Sequence, residues 1–314
     1  MTRIRIILHG KAAGNMQVRA AVTKLRAEGH EIGVRVTWEA GDARRLAREA
    51  VEDARREKIE RIVAGGGDGT FNEVFASAWL ASPPAYCSFG ILPLGTANDF
   101  AHSTDIPTQD PEAALRLIVS TSPRLMDVGL LNGAPFFNLV SGGFGSQVTA
   151  QTDPALKRHV GGLAYVLSGL SRLKDLEACR GRFRTDDFEW EGRFLAFALG
   201  NGRQAGGGIS LCPAACLDDG QIDLFILPEV LRDARARAMH GLLLEGPESL
   251  EKLAVRTRSD RIFFEADEDV SVNLDGEPRQ VRHCQIECRA RALPVHVGSH
   301  GLFCASADKA VCSS

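Results

Sequence analysis

The strongest constraint on the fold is a run of glycines that joins a short apolar segment to a helical pattern. Residues 61–64 predict a strand, Gly65, Gly66 and Gly67 follow it at once, and apolar residues then recur at helical spacing from Phe71. Glycines tolerate positive φ and let a ligand approach the backbone closely. A helix that begins here directs unpaired N–H groups and the positive end of its dipole at an anion. The segment therefore predicts an α/β unit that binds a phosphate-bearing ligand.

The residues that follow the glycines indicate what kind of phosphate chemistry is involved. Thr70 can donate a hydroxyl hydrogen bond, whereas Asp68 would repel a phosphate unless Mg²⁺ lies between them or the carboxylate orients loop donors. The spacing is neither the Rossmann nor the P-loop pattern. A tight structural turn is the alternative, but three consecutive glycines at a strand-to-helix junction disfavour it.

Hydrophobic periodicity divides the chain into two parts. Residues 1–127 alternate strand and helix patterns, which predicts an α/β domain with a parallel sheet that carries the phosphate-binding loop. Its predicted strands are residues 3–8, 32–36, 61–64 and 88–92, and Asp110 and Pro111 predict a helix start. Residues 128–314 predict an antiparallel β-sandwich domain that completes an active site in the cleft between the domains.

The second part combines many short strands with two helical stretches. The predicted strands are residues 136–140, 194–199, 222–227, 262–265, 270–274, 284–288 and 294–297, and the predicted helices lie around residues 163–173 and 231–244.

A second loop motif follows the predicted strand at residues 88–92. In the string PLGTANDFA, Gly95 and Thr96 form a possible second cradle for phosphate, and Asn98 or Asp99 is predicted to cap the next helix. Capping alone would explain the Asn-Asp pair.

These strings resemble the diacylglycerol kinase catalytic-domain family. GGGDGTFNEV is similar to the nucleotide-binding signature that this family shares with NAD kinases and phosphofructokinases, and PLGTANDFA is similar to a string that NAD kinases lack. VTWEAGDA from Val36, NLDGEP from Asn273 and GNGRQAGGG from Gly200 resemble the YegS-type members. The resemblance covers both parts of the chain and implies an N-terminal domain like that of NAD kinase and phosphofructokinase.

The resemblance implies a role for each matching residue. Glu277 is the expected general base for a lipid hydroxyl, and Asp99 is expected to share or relay that proton. Read alone, the Asp-Gly-Glu string at Glu277 is a hairpin turn signal. The residues expected to bind ATP are Thr37, Gly65, Gly66, Gly67, Asp68, Gly69, Thr70, Phe71 and Thr96.

Some YegS-type proteins carry a further metal site, which maps to the string after Leu211-Cys212-Pro213. The expected ligands are the Asp219 carboxylate and the carbonyl oxygens of Cys216 and Gln221, which suits Mg²⁺ or Ca²⁺. An ordinary turn is the alternative reading. One departure from relatives is His9, where they usually have Asn.

The predicted function is therefore transfer of the ATP γ-phosphoryl group to a glycerolipid hydroxyl of the phosphatidylglycerol or diacylglycerol class, with peripheral membrane contact. The net charge of −3 argues against broad nucleic-acid binding. No apolar run approaches a membrane span and no signal peptide is evident, so we expect a cytoplasmic protein with free cysteines.

Three alternatives stay open at this stage. The shared glycine loop also fits an NAD kinase-like enzyme, and intact motifs do not exclude a nucleotide or lipid sensor without turnover. The pairs Cys212/Cys216 and Cys284/Cys288 could meet at zinc, although they lack the tighter spacing of two intervening residues.

Overall fold

The structure is a computed structural model that describes residues 1–143, 178–205, 209–229, 254–298 and 302–304. The chain forms two compact units. The first unit comprises Met1–Val128, Leu217–Asp219 and the part of the chain from Ala290, and the second comprises Gly129–Cys216 and Gly220–Arg289. Two segments that follow residue 127 in the sequence therefore belong to the first unit. The predicted division into domains of residues 1–127 and 128–314 remains a prediction.

The first unit is built on strands β1 (Arg3–Leu8), β2 (Glu31–Val36), β3 (Arg61–Gly66) and β4 (Ser88–Pro93). Their order is β4-β3-β1-β2, and each neighbouring pair is parallel. Nearly every residue of β1, β3 and β4 is buried, as expected for a sheet covered on both faces. The bounds of these strands agree with the predicted ones to within two residues.

Among the described residues of this unit, the α-helices are α1 (Met16–Ala27), α2 (Asp42–Glu57), α3 (Asp68–Leu80), α4 (Asp99–Ser103) and α5 (Pro111–Ser120). The predicted start of α5 is confirmed, because Asp110 Oδ1 accepts from the N–H groups of Glu112 (2.9 Å) and Ala113 (3.1 Å). Such a cap satisfies donors that have no partner within the helix.

Two returning segments complete the first unit. Leu217 accepts from the Asp127 N–H at 2.6 Å and donates to the Leu302 carbonyl oxygen at 2.9 Å. Val295 pairs in parallel with Phe89 of β4. Long-range backbone pairing of this kind leaves no periodic signal in the sequence. For this reason the sequence predicts that these residues belong to the second domain.

The second unit is rich in antiparallel strands. Its described strands include two that it shares with the first unit: β5 (Arg124–Leu131) begins there and β15 (Glu277–Val295) ends there. The others are β6 (Ala134–Phe136), β7 (Leu139–Gly143), β8 (Cys179–Arg184), β9 (Glu189–Gly200), β10 (Gln204–Ala205), β11 (Ile209–Ser210), β12 (Ile222–Pro228), β13 (Val255–Ser259) and β14 (Arg261–Leu274). Phe183, Phe194, Phe197 and Phe264 form a buried aromatic cluster at its centre.

Several predicted strand bounds in this unit need correction. The predicted strand at 136–140 is broken between β6 and β7, because the N–H groups of Phe137 and Asn138 bond to the Asp275 carboxylate instead of to a strand. The segments predicted as 262–265 and 270–274 are one strand, β14, whose register against β15 shifts between Glu265 and Val270. The predicted helices at 163–173 and 231–244 lie outside the described residues.

The expectation of free cysteines is wrong for two residues. Cys216 and Cys304 are disulfide-bonded, whereas Cys87, Cys212 and Cys284 in the described part of the chain carry free thiols. The expectation rested on compartment and spacing, which do not reveal where folding brings sulfur atoms together. In the part of the chain that the structure describes, no helix is long and apolar enough to cross a bilayer.

Candidate active site

The carboxyl ends of four parallel strands gather most of the predicted ATP-binding residues at one edge of the first unit. The segments after β1, β2, β3 and β4 begin at His9, Thr37, Gly67 and Leu94. Backbone bonds hold three of them together: the His9 N–H donates to the Gly65 carbonyl oxygen at 2.7 Å, and the Leu94 N–H donates to that of Gly66 at 2.8 Å. In open α/β sheets, ligands bind outside this edge.

The glycine loop is shaped by close packing around its own helix start. A Cβ on Gly66 would stand 2.5 Å from Thr70 Oγ1, so the Thr70 side chain lies over the place where only glycine fits. Thr70 is buried, and Gly69 is exposed with no atom within 4 Å of a Cβ added there. The loop therefore has open space in front of Gly69, where a ligand can approach the N-terminus of α3.

Phe71 serves the core of this unit. Its ring packs against Phe75 (4.5 Å between centroids) and Phe100 (4.6 Å), and only 3% of the residue is exposed. Its backbone N–H donates to the Gly67 carbonyl oxygen at 3.0 Å. The resemblance predicts that Phe71 binds ATP, but its side chain packs in the core and anchors α3 against α4.

The loop after β4 is fixed by Asn98 in a way that the sequence did not predict. Asn98 has φ 50°, and its side chain accepts from the Gly95 N–H and donates to the Gly95 carbonyl oxygen, both at 2.9 Å. It occupies the N-cap position of α4 but makes no side-chain cap bond there. Asn tolerates the left-handed region better than most residues. This closed ring holds Thr96, which is exposed, at the tip of the loop.

Asp68 and Asp99 bring two carboxyl groups into this site. Burial, and then the negative charge of Asp99, raise the pKa of Asp68 above its ordinary value. The N–H groups of Phe100 and Asn98 donate to Asp68 and oppose that shift. Asp68 therefore accepts hydrogen bonds from the backbone at the start of α4. Two carboxylates in a partly buried site favour a bound cation, so the residues fit Mg²⁺.

The loop after β2 is anchored by two side chains. Thr37 Oγ1 accepts from the Gly10 N–H at 3.0 Å, which leaves its own O–H able to donate. Asp42 Oδ2 accepts from the N–H groups of Trp38 at 2.7 Å and Glu39 at 3.2 Å. The Arg45 guanidinium, and then these backbone donors, lower the pKa of Asp42 to about 2, so the anchor stays ionised.

Glu277 lies in the second unit, at the first position of β15. Asp275 (φ 48°) and Gly276 (φ 101°) form the two-residue turn that joins it to β14, which confirms the hairpin signal. Asp275 accepts from the N–H groups of Phe137 (2.7 Å) and Leu139 (2.7 Å). Glu277 itself is 42% exposed by side chain, with Arg279 at 3.5 Å. Its carboxylate is therefore accessible on a rigid turn.

The residues expected to hold a further metal flank a short turn. Leu217–Asp219 belongs to the first unit, Cys216 and Gln221 to the second, and Gly220 has φ 76°. Asp218 accepts from the Cys304 N–H at 2.7 Å. Among the described residues, no three His, Cys, Asp or Glu side chains converge as metal ligands, which disfavours the zinc alternative there. An Asp219 site completed by carbonyl oxygens remains a prediction.

Two residues anchor loops in a way that the sequence does not predict. The sequence predicts a helix cap at Asn98 and a turn at Asp275, but each side chain fixes a loop through two or more bonds to backbone groups. The available signal was their position beside glycine: short polar side chains in turns commonly bond nearby backbone groups.

Residues 3–131 match the family profile described as "Diacylglycerol kinase catalytic domain", and residues 138–297 match "YegS C-terminal NAD kinase beta sandwich-like domain".

Two relatives are named "Probable lipid kinase YegS-like". The chain is 49% identical over 295 residues to one from Pseudomonas aeruginosa, covering 94% of each chain. It is 44% identical over 304 residues to one from Xanthomonas euvesicatoria pv. vesicatoria, covering 93% of this chain and 95% of the relative.

A solved structure has the same fold. It is a "putative diacylglycerol kinase" from Bacillus anthracis str. Sterne, with a TM-score of 0.78 and 26% identity, covering 94% of this chain and 95% of the other.

Proposed function

The chain belongs to the diacylglycerol kinase family, among the YegS-like lipid kinases, and on this basis we propose that it phosphorylates the hydroxyl of a glycerolipid of the phosphatidylglycerol or diacylglycerol class. The enzyme is a lipid kinase, and ATP is its phosphate donor. The acceptor class is our proposal. The paired Asp68 and Asp99 carboxyl groups beside two glycine loops at one sheet edge support phosphoryl transfer, and the similarity to relatives named lipid kinases supports a lipid acceptor.

In this proposal the backbone around the glycine loop binds the phosphates. The N–H groups at the start of α3, near the exposed Gly69, face the open space at the sheet edge, and Thr96 and Thr37 contribute hydroxyl groups from neighbouring loops. Phosphoryl transfer depends mainly on positioning and charge stabilisation. A rigid backbone cradle supplies the positioning, because Asn98 and Gly67 leave the loops little freedom.

Asp68, with Asp99 beside it, would hold a Mg²⁺ ion. Such an ion neutralises charge on the transferring phosphoryl group when it is bound. A second proposed role of Asp99 is to share or relay the proton that the lipid hydroxyl loses. The proposed Asp219 site, with the carbonyl groups of Cys216 and Gln221, would have a structural role in the segment that returns to the first unit.

Glu277 is the proposed general base. A lipid hydroxyl must lose its proton as it attacks the γ-phosphoryl group, and a carboxylate can accept it. The support is that Glu277 is accessible and follows a turn that Asp275 fixes firmly. A charged base near the acceptor suits a reaction in which the nucleophile is a neutral alcohol.

The acceptor lies in a membrane, so we propose peripheral membrane contact. Phe263 of β14 is 37% exposed and lies opposite Arg184 on the neighbouring antiparallel strand β8. An exposed aromatic ring beside a cation suits the boundary between headgroups and acyl chains. Because the donor is ATP, the proposed location is the cytoplasmic face of the membrane.

Radiolabel transfer tests the acceptor class. Purified protein is incubated with γ-labelled ATP, Mg²⁺ and detergent-dispersed phosphatidylglycerol or diacylglycerol, with NAD in a parallel reaction. We expect label in an organic-extractable lipid. Label on NAD alone would assign an NAD kinase-like activity, and ATP binding without transfer across the lipid panel would favour a sensor.

A further inference from the structure

The inference concerns Trp38, the most exposed large apolar side chain in the described part of the molecule. It is 94% exposed, although burying a tryptophan side chain is strongly favourable. It lies two residues beyond the end of β2, at the carboxyl edge of the parallel sheet. An aromatic surface left in solvent at a ligand-binding edge is available to a ligand.

The backbone that carries Trp38 is held rigidly. Its N–H donates to Asp42 Oδ2 at 2.7 Å, and Asp42 is bonded in turn to Arg45 at 2.7 Å through Oδ1. The preceding residue, Thr37, accepts from the Gly10 N–H and donates its own N–H to the Leu8 carbonyl oxygen at 2.9 Å. An exposed ring on a fixed turn loses little backbone entropy when a ligand covers it.

The distance across the sheet fits a nucleotide. Val36 at the end of β2 and Gly65 of β3 both pair with Leu8 of β1, so they are two strand spacings apart, about 10 Å. A nucleotide whose phosphates lie on the glycine loop extends its ribose and base along the sheet edge for a comparable distance. In the direction of β2, the base then arrives at the turn that carries Trp38.

We propose that Trp38 is the stacking surface for the base of the nucleotide donor. This rests on the proposed function, because it takes the glycine loop as the phosphate site. The indole would cover one face of the adenine ring, and stacking tolerates any base because every base has a π-face. Trp38 would therefore strengthen nucleotide binding without selecting strongly among bases.

The test compares ligands with and without a base. Binding of ATP, ADP and inorganic tripolyphosphate, each with the same Mg²⁺ concentration, is measured by calorimetry on Trp38→Ala, Trp38→Phe and the unmodified protein. We expect Trp38→Ala to weaken ATP and ADP binding about tenfold, which corresponds to about 1.4 kcal/mol and lies within the range of base stacking on an aromatic side chain. Tripolyphosphate binding should not change, and Trp38→Phe should retain most of the ATP affinity.

Leu80→Ala is the matched control. Leu80 is also exposed (58%) but lies at the far end of α3 from the glycine loop, so its removal should leave all three affinities unchanged. The inference is overturned if Trp38→Ala binds ATP as tightly as the unmodified protein, or if tripolyphosphate binding falls equally. It is also overturned if Trp38→Ala loses only adsorption to anionic phospholipid vesicles, which would assign the ring to membrane contact.

The inference about Trp38 and the proposed function can each fail without the other, and the experiments distinguish the two cases. If the unmodified protein transfers label to lipid while Trp38→Ala keeps full ATP affinity, the inference fails and the function stands. If no lipid is labelled but Trp38→Ala weakens ATP binding selectively, the acceptor assignment fails and the base site stands.

Discussion

Gly67 and Gly95 lie against each other, so that the loops after β3 and β4 meet through backbone alone. A Cβ built on Gly95 would stand 2.5 Å from Gly67 Cα, and one built on Gly67 would stand 3.1 Å from Gly95 Cα. Backbone atoms cannot rotate away as a side-chain tip can. The two loops proposed to bind phosphate therefore form one surface, whose shape requires that neither Gly67 nor Gly95 has a Cβ.

Gly95→Ala should separate the two loops. We expect it to lower the free energy of unfolding by about 1–3 kcal/mol, the usual cost of overpacking, and to weaken ATP binding. Thermal unfolding and nucleotide titration measure both effects.

Gly69→Ala is the control for the Gly95 variant. Its Cβ would meet nothing within 4 Å, and alanine favours a helix by roughly 0.5–1 kcal/mol over glycine. Its stability should be unchanged or higher, while ATP affinity should fall if phosphate approaches α3 here. Equal stability of the Gly95 and Gly69 variants would contradict the contact.

Asp68→Asn should abolish kinase activity without lowering the unfolding temperature of the protein in EDTA. Because the pKa of Asp68 is raised in the folded protein, ionisation of this carboxyl group destabilises the fold. The stability that its protonated form contributes is lost as pH rises through the folded pKa. The asparagine oxygen can still accept from the N–H groups of Phe100 and Asn98. In EDTA the variant should therefore unfold at the same or a higher temperature than the unmodified protein.

Added Mg²⁺ is the second half of that measurement. It should raise the unfolding temperature of the unmodified protein, since a ligand that binds only the folded state stabilises it. It should raise that of Asp68→Asn less, and the variant should lose kinase activity. An identical Mg²⁺ response in both proteins would remove Asp68 from the proposed cation site.

How far the sequence predicts this structure depends on the range of the interactions. The β1 bounds at Arg3–Leu8 and the Asp110 cap were predictable because periodicity and capping are local. The break after β6 was not, because the carboxylate that takes the Phe137 N–H is Asp275, 138 residues away. The residues around such a break look like a continuous strand.

The candidate site shows the same division. The glycine loop and the Asp68 position followed from local chemistry, whereas the closed ring between Asn98 and Gly95 required knowing that Asn98 has positive φ. Trp38 carried no signal, because a tryptophan after a strand is more often buried. Its backbone N–H donates to Asp42, a contact that the sequence alone does not reveal.

Substitutions at Asp275 and Glu277 should show that the first residue stabilises the fold and the second takes part in catalysis. Asp275→Ala removes an acceptor shared by the Phe137, Asn138 and Leu139 N–H groups and should lower the unfolding free energy by about 1–3 kcal/mol. Glu277→Gln removes a half-exposed carboxylate and should leave stability unchanged.

Kinase assays complete the comparison. Glu277→Gln should lower kcat for lipid phosphorylation at least 100-fold, within the range of general-base contributions, with ATP affinity retained. Full activity of Glu277→Gln, with a normal unfolding temperature, would exclude Glu277 as the base.

His296 should make the first unit sensitive to acid. It is fully buried, with Nε2 at 2.9 Å from Ser88 Oγ and Nδ1 at 3.2 Å from Thr121 Oγ1. Burial, and then the positive charge of Arg61, lower the pKa of His296 to about 4. The unfolded chain therefore binds a proton between pH 6.5 and 4 that the folded chain does not.

Because of that difference, the His296 contribution to stability is complete above pH 6.5 and is lost as pH falls towards 4, by about 3 kcal/mol. Urea unfolding at pH 7 and at pH 4.5 measures the loss. His296→Asn cannot titrate, so it should show a smaller loss between the two pH values than the unmodified protein, whatever its stability at pH 7. Equal losses in the two proteins would show that other groups account for the acid sensitivity, and that His296 does not need to be neutral for the fold to form.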